Sequence, residues 1–192
     1  MKETNASLSR ASKRGFTLIE LVIVIGILAI LATTVVLVLN PAQILAQSRD
    51  SQRLSDLNSV KSALALYLST ATSPTLGETA YSTASSTCGL SSGCTVRDVY
   101  TVAGSGWIGV DLTGTTGGSA LSSLPRDPTN SGTYQYAYDG DDTNKTFELN
   151  ARLESTKYRG LMTSDGGNKD TCTSYTEETC YYEVGTDPGL DL

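Results

Sequence analysis

Glu20 is the only charged residue between Phe16 and Leu39, in the run FTLIELVIVIGILAILATTVVLVL. A carboxylate near a helix terminus in lipid costs about 2–3 kcal/mol, so one that is kept there marks function. A cationic partner would offset that cost and supply register information on an otherwise slippery apolar surface. The second reactive set is Cys88, Cys94, Cys172 and Cys180, all beyond the apolar run. An even count in a Ser/Thr/Gly-rich region past such a segment points to disulfides made in an oxidising compartment. Four cysteines allow three pairings. The short loops favour Cys88–Cys94 and Cys172–Cys180, with free thiols as the alternative. Cys-x-x-Cys spacing is absent, which argues against zinc.

A third set is Asp139, Asp141 and Asp142, with Asn144 beside them. Oxygen ligands crowd there, so calcium is one reading. The spacing misses the EF-hand pattern, lacking its glycine at the sixth place and its glutamate at the twelfth. Turn-forming acids at a hairpin tip explain the cluster as well, and the expectation is no cofactor. The chain has no histidine, which removes the commonest general base and zinc ligand and any Ser-His-Asp system. No paired-carboxylate motif or phosphate loop is present to suggest catalysis. The formal net charge of −6 argues against nucleic acid as the main ligand.

The elements that must position these groups begin with the apolar run. As a helix, residues 16–39 reach about 36 Å, enough for a hydrocarbon core of about 30 Å. Lys13 and Arg14 stand directly before it, which places the N-terminus in the cytoplasm and exports the rest. A cleaved secretory signal would end in a small-residue site, and no A-x-A closes this run. A plain uncleaved anchor is the other rival. Neither accounts for Glu20.

The stretch KRGFTLIELVIVIGILAILA, residues 13–32, resembles the class III signal of type IV prepilins and pseudopilins. Basic residues, Gly15, Phe16, Thr17, Glu20 and the apolar helix all match. The resemblance implies that a prepilin peptidase cuts after Gly15 and methylates the new amine of Phe16. Glu20 then becomes the fifth residue of the mature chain and pairs with the Phe16 amine of a neighbouring subunit. It also implies an inner-membrane assembly platform and an assembly ATPase as partners, with lipid as the environment before assembly. Glycine suits the cut because it lies extended in a narrow cleft. Removing residues 1–15 takes away four cations and one anion, and the formal side-chain charge falls from −6 to −9.

Beyond the run, Asn40-Pro41 predicts a kink in one continuous helix, with Gly26 a second weak point. Filaments of the resembled family partly unwind near such residues, so the Gly26–Pro41 stretch is the corresponding candidate. Leu54, Leu57, Val60, Leu64, Tyr67 and Leu68 recur near helical spacing to about residue 70, as a core stripe. Arg49, Asp50, Arg53, Asp56 and Lys61 decorate the other positions, where ion pairs are worth about 0–1 kcal/mol. Residues 69–95 hold 14 Ser or Thr in 27 positions, which predicts a surface loop. VRDVYTVAGSGWIGVDLTG reads as strand with glycine turns. Tyr134, Tyr136 and Tyr138 alternate, DGDDTN is a turn, and Phe147, Leu149, Ala151 and Leu153 alternate in a returning strand. YYEV adds to the sheet edge. Asn144-Lys145-Thr146 is a formal glycosylation sequon.

These features predict an α+β subunit. Its parts are a leader (1–15), a transmembrane and filament-core helix (16–39), an amphipathic continuation (40–70) and an exported domain with a small antiparallel sheet (71–192). The tail bounded by Cys172 and Cys180 resembles the disulfide-bounded end of many pilins. LPRDP and YQYAYDG resemble the approach to the sheet in major pseudopilins of type II secretion. The Trp-Gly-x-Pro stretch of that family is replaced here by TNSG. The expected role is a pilin that polymerises with itself, first a single-pass inner-membrane protein and then part of an extracellular pilus or envelope filament. The alternatives are a secretion or DNA-uptake pseudopilin, a minor pilin with an adhesive or DNA-capturing tip, and, remotely, an enzyme or receptor domain on a simple anchor.

Overall fold

Leu18–Leu39 forms the first helix, α1, of 22 residues. The computed structural model describes residues 15–90, 93–175 and 179–192. The chain divides into two compact units, with the division between Pro41 and Ala42. Every described side chain of α1 is exposed, which suits a helix whose surroundings are lipid or other helices. Its polar groups are satisfied internally. The Thr33 and Thr34 hydroxyls donate to the carbonyls of Ala29 and Leu31, as a hydrocarbon environment demands.

The second helix, α2, runs Pro41–Thr70. The expected continuous, kinked helix is instead two helices with a stop at Asn40. Asn40 takes the left-handed conformation (φ 41°, ψ 76°) and caps α1, which asparagine tolerates better than most residues. Pro41 has no N–H to donate back and a ring that would crowd the preceding turn, but it fits the first turn of a new helix. Gly26 lies inside unbroken α1, and a Cβ there would meet nothing within 4 Å.

In the second unit five strands form one sheet. They are β1 (Tyr81–Ser82), β2 (Thr95–Val96), β3 (Tyr136–Asp141), β4 (Thr146–Ala151) and β5 (Tyr182–Gly185), ordered β2-β1-β3-β4-β5. Only β1–β2 is parallel. The α+β, pilin-like architecture is therefore present. The expected hairpin is β3–β4, with Tyr138 opposite Leu149. Tyr136, Tyr138, Phe147, Leu149 and Ala151 share one core with Leu57, Val60, Leu64 and Tyr67 of α2. Period 2 on the strands and period 3.6 on the helix thus meet across one interface.

Three expectations are corrected. Asp139 and Asp141 belong to β3 rather than to the turn, which occupies 142–145 with Lys145 at φ 57°. Residues 97–115 form no strand of the sheet. They make a single bridge, Ala103 to Asp111, and a short 3-10 turn at Leu112–Gly114. Gly104 and Gly109 sit at φ 79° and 64°, and these left-handed positions break the extended run around fully buried Trp107. The Ser/Thr-rich segment is more than a surface loop. It supplies β1, and its Cys88 and Leu90 pack with Ala80 on Ala137 of β3. The Gln135 side chain answers the polar backbone of this segment, accepting from the Ala84 and Ser85 N–H groups and donating to the Thr87 carbonyl.

The charged positions of α2 require the largest correction. Asp50 and Arg53 are fully buried. Arg53 Nε and Nη2 donate to Asp127 at 2.6 and 3.0 Å, and Nη1 donates to Asp50 and Glu154 at 2.9 and 2.7 Å. Its plane also lies 4.9 Å from the Tyr134 ring centroid. Asp50 in turn accepts the backbone N–H groups of Glu154 and Ser155. Burial alone would lower the Arg53 pKa, but Asp127, Glu154 and Asp50 raise it well above the ordinary guanidinium value. Asp56 accepts from the Tyr136 hydroxyl instead of pairing with an arginine. Removing one member of such a network strands the others without water. Arg53→Ala is expected to cost about 3–5 kcal/mol in urea unfolding, and Arg49→Ala, at a position 37% exposed, less than about 1 kcal/mol. Burial raises the Glu154 pKa, but Arg49 and Arg53 outweigh it and hold the value below the ordinary range. Its contribution is therefore present above the usual glutamate pKa and is lost as the pH falls through the lowered folded value.

Candidate functional site

The start of α1 is built by a reciprocal cap. Thr17 is the N-cap, extended at φ −78° and ψ 151°. Its hydroxyl accepts from the Glu20 N–H at 3.3 Å, and the Glu20 carboxylate accepts from the Thr17 N–H at 2.9 Å and from the Thr17 hydroxyl at 2.7 Å. This capping box satisfies two of the N–H groups that a helix start leaves unpaired. Both bonds to the carboxylate use Oε2. The charge also lies at the positive end of the helix dipole. Glu20 is thus held at the very start of the helix, one turn from Phe16.

Gly15 and Phe16 precede the helix, and Phe16 is 89% exposed. A Cβ on Gly15 would meet nothing within 4 Å. Among the described residues nothing crowds that position. Residues 1–14 of the expected leader, with Lys13 and Arg14, lie outside the described residues.

The other candidates lie in the second unit. Cys88 is bonded to Cys94 and Cys172 to Cys180. The first bond closes part of the Ser/Thr-rich segment, and the second closes the loop before β5. The acids near the hairpin spend their oxygens locally. Asp141 accepts from the Thr143 and Asn144 N–H groups and from the Asn144 side chain. Asp142 accepts from the Leu76 N–H and from Lys145. These donors hold both carboxyls below the ordinary range, the Asn144 backbone chiefly for Asp141 and Lys145 for Asp142. Asp139 is buried on β3, and its Oδ1 accepts from the Gly140 N–H. Among the described residues no group of three His, Cys, Asp or Glu side chains converges to hold a metal.

α1 is long and apolar enough over Leu18–Val36 to cross a membrane. Residues 10–36 match the model of the prokaryotic N-terminal methylation motif. The chain carries a prepilin-type signal. That signal belongs to type IV pilins and pseudopilins, which are structural subunits, and it implies processing by a prepilin peptidase. Neither a curated protein nor a solved structure matches the chain. The prepilin signal spans the α1 cap, the exposed Phe16 and Gly15, and most of the apolar helix.

Two groupings are not evident in the sequence. One is the Arg53 network, whose members lie up to 104 positions apart, as in Asp50 and Glu154. The i,i+3 spacing of Asp50 and Arg53 on a helix is its one local sign. The other is a polar but buried second face of the sheet. Glu148 and Asn150 alternate with Phe147 and Leu149 as solvent-facing residues would, and only the covering segment makes them interior. The Cys88–Cys94 bond helps hold the segment that packs on Ala137 of that face. Closing loops of this size is worth about 2–3 kcal/mol each in the chain-entropy picture. Replacing Cys172 and Cys180 by serine is expected to lower the urea-unfolding free energy by about 2–3 kcal/mol, and reductant, which opens both bonds, to cost the wild type more than that.

Proposed function

We propose that this chain is a type IV pilin that polymerises with itself into a pilus-like filament after cleavage and N-methylation by prepilin peptidase. The observation that carries the reading is the prepilin-type signal with its single intramembrane carboxylate at the α1 start. The N-terminus is cytoplasmic, α1 anchors the subunit in the inner membrane, and the second unit is exported. Cutting after Gly15 leaves a cationic amine on Phe16. In the isolated subunit the Glu20 carboxylate is occupied by Thr17. In the filament a neighbour's Phe16 amine joins it and sets the stagger between subunits. Packing α1 against equivalent helices gains little hydrophobic energy relative to lipid, so the ion pair carries most of the specificity. The role is structural rather than catalytic. An assembly ATPase and an inner-membrane platform supply the work, and no cofactor takes part.

A pseudopilin of a secretion or DNA-uptake system shares this signal. The LPRDP segment, which brings Asp127 onto Arg53, favours it, and the TNSG that follows departs from it. Long surface filaments containing the chain support the pilin; filaments confined to the envelope support the pseudopilin.

N-terminal sequencing and intact mass of the protein from its native membrane are expected to give Phe16 as the first residue with one added methyl. Retention of Met1 beside an active prepilin peptidase would reduce the chain to a simple anchor. Glu20→Ala is expected to leave cleavage intact and to abolish filaments counted by electron microscopy; a wild-type filament yield would exclude the pairing role.

A further inference from the structure

The second face of the sheet holds a charge problem that filament assembly does not explain. Along β4 and just past its end, Glu148, Asn150 and Arg152 alternate with the core residues and are exposed by only 1%, 1% and 3%. Glu183 of β5 is the cross-strand partner of Asn150, also 1% exposed. Glu148 is therefore its diagonal neighbour, and the two carboxyl groups are within hydrogen-bonding reach of each other. Glu148 Oε2 accepts from the Leu192 N–H at 3.1 Å, and Glu183 Oε2 accepts from the Lys169 N–H at 2.7 Å. Glu183 Oε1 is buried and receives no hydrogen bond, while the Asn150 side chain lies beside Glu148 and favours its charged form.

Two buried anions in contact, with an orphaned oxygen between strands, are not a stable arrangement. Arg152 donates to the carbonyls of Cys180 and Thr133 and stacks on Tyr181. Other charged groups surround the pair. Asp139 is the cross-strand partner of Glu148 on β3. Asp165 accepts from the Glu183 N–H and has Asp170 near it. A groove along β5 is bordered by Lys61 of α2, Asp165, Tyr182, Glu183 and Asp187. Lys169 is the cation that bears on Glu148. Among these described residues acids outnumber cations, and a single proton between the two carboxyls supplies a donor for the Glu183 oxygen.

We infer that Glu148 and Glu183 share one proton, and that this proton latches β5 and the segment leading to Leu192 onto the sheet. Each member of the latch holds something in place. Glu148 holds the Leu192 backbone, and Glu183 holds the turn at Lys169. Gly167 fits this role, since a Cβ there would lie 2.0 Å from Glu183 Oε2. Burial drives both carboxyls above the ordinary glutamate range, and at Glu183 the charges of Glu148 and Asp165 add to it. The proton belongs to the pair rather than to either residue. Because the folded values lie above that of an unfolded glutamate, about 4.3, the stabilisation is complete below that pH. It is lost as the pH rises to about 8 and changes little beyond.

The test uses the full chain in detergent micelles. Hydrogen exchange at Tyr182 and Val184, corrected for intrinsic rates, is expected to show β5 opening about tenfold more per pH unit between pH 5 and 8. Glu183→Gln carries a permanent donor in place of the proton and is expected to flatten that slope, as is Glu148→Gln. A Glu183→Gln slope equal to the wild type overturns the proposal. Carbon-13 titration of the wild-type glutamate carboxyls needs no variant: a shared midpoint between 6 and 8 supports the latch, and two ordinary midpoints near about 4.3 overturn it. If calcium abolishes the wild-type slope while Glu183→Gln ignores it, a bound cation takes the place of the proton and the proposal fails.

Discussion

The guanidinium of Arg53 is the interaction on which the second unit depends. It projects from α2 and is gripped by Asp127 from the segment before the hairpin and by Glu154 from the segment after it. The chain on both sides of β3–β4 is therefore tied to one turn of one helix. Asp50 completes the tie by accepting two backbone N–H groups just past β4. Hydrophobic burial of Leu57, Val60 and Leu64 supplies the bulk of the attraction, but it is non-directional. A bidentate contact with a planar guanidinium tolerates little sliding. It fixes which turn of the helix the sheet sits on.

The sheet then has two differently made faces. The face toward α2 is apolar, with the tyrosine tips satisfied at its rim: Tyr138 donates to the Leu76 carbonyl and Tyr136 to Asp56. The opposite face is polar and roofed by a segment too rich in serine and threonine to form a core unaided. That roof is held by a local disulfide, by Gln135 and by a few apolar contacts around Ala137. Covalent closure of this kind serves small folds where apolar area is short.

The sequence makes the long-period features plain. The two helical stretches, the β3–β4 alternation and the edge strand at Tyr182–Gly185 follow from residue period and turn residues. The α1 start is plain for a different reason: its chemistry is local, confined to Gly15, Phe16, Thr17 and Glu20. The misreadings all concern cover. Asp50 and Arg53 look like helix-surface charges until distant Asp127 and Glu154 arrive. Glu148 looks like the wet side of a strand until the Leu192 backbone meets it. Residues 97–115 look like strand because they are apolar, but Gly104 and Gly109 turn the backbone around Trp107. A single chain's pattern reports which side is apolar, and does not report what lands on the other side.

Trp107 also gives the molecule a built-in optical label. It is the only tryptophan in the chain, fully buried, with its indole N–H donating to the Pro125 carbonyl and its ring 5.8 Å from that of Tyr136. Phe16 is the one aromatic residue near α1, and it does not emit in the same range. Near-ultraviolet fluorescence therefore reports on the second unit alone. The state of the second unit can be followed while the apolar helix sits in lipid or in detergent, without attaching a dye.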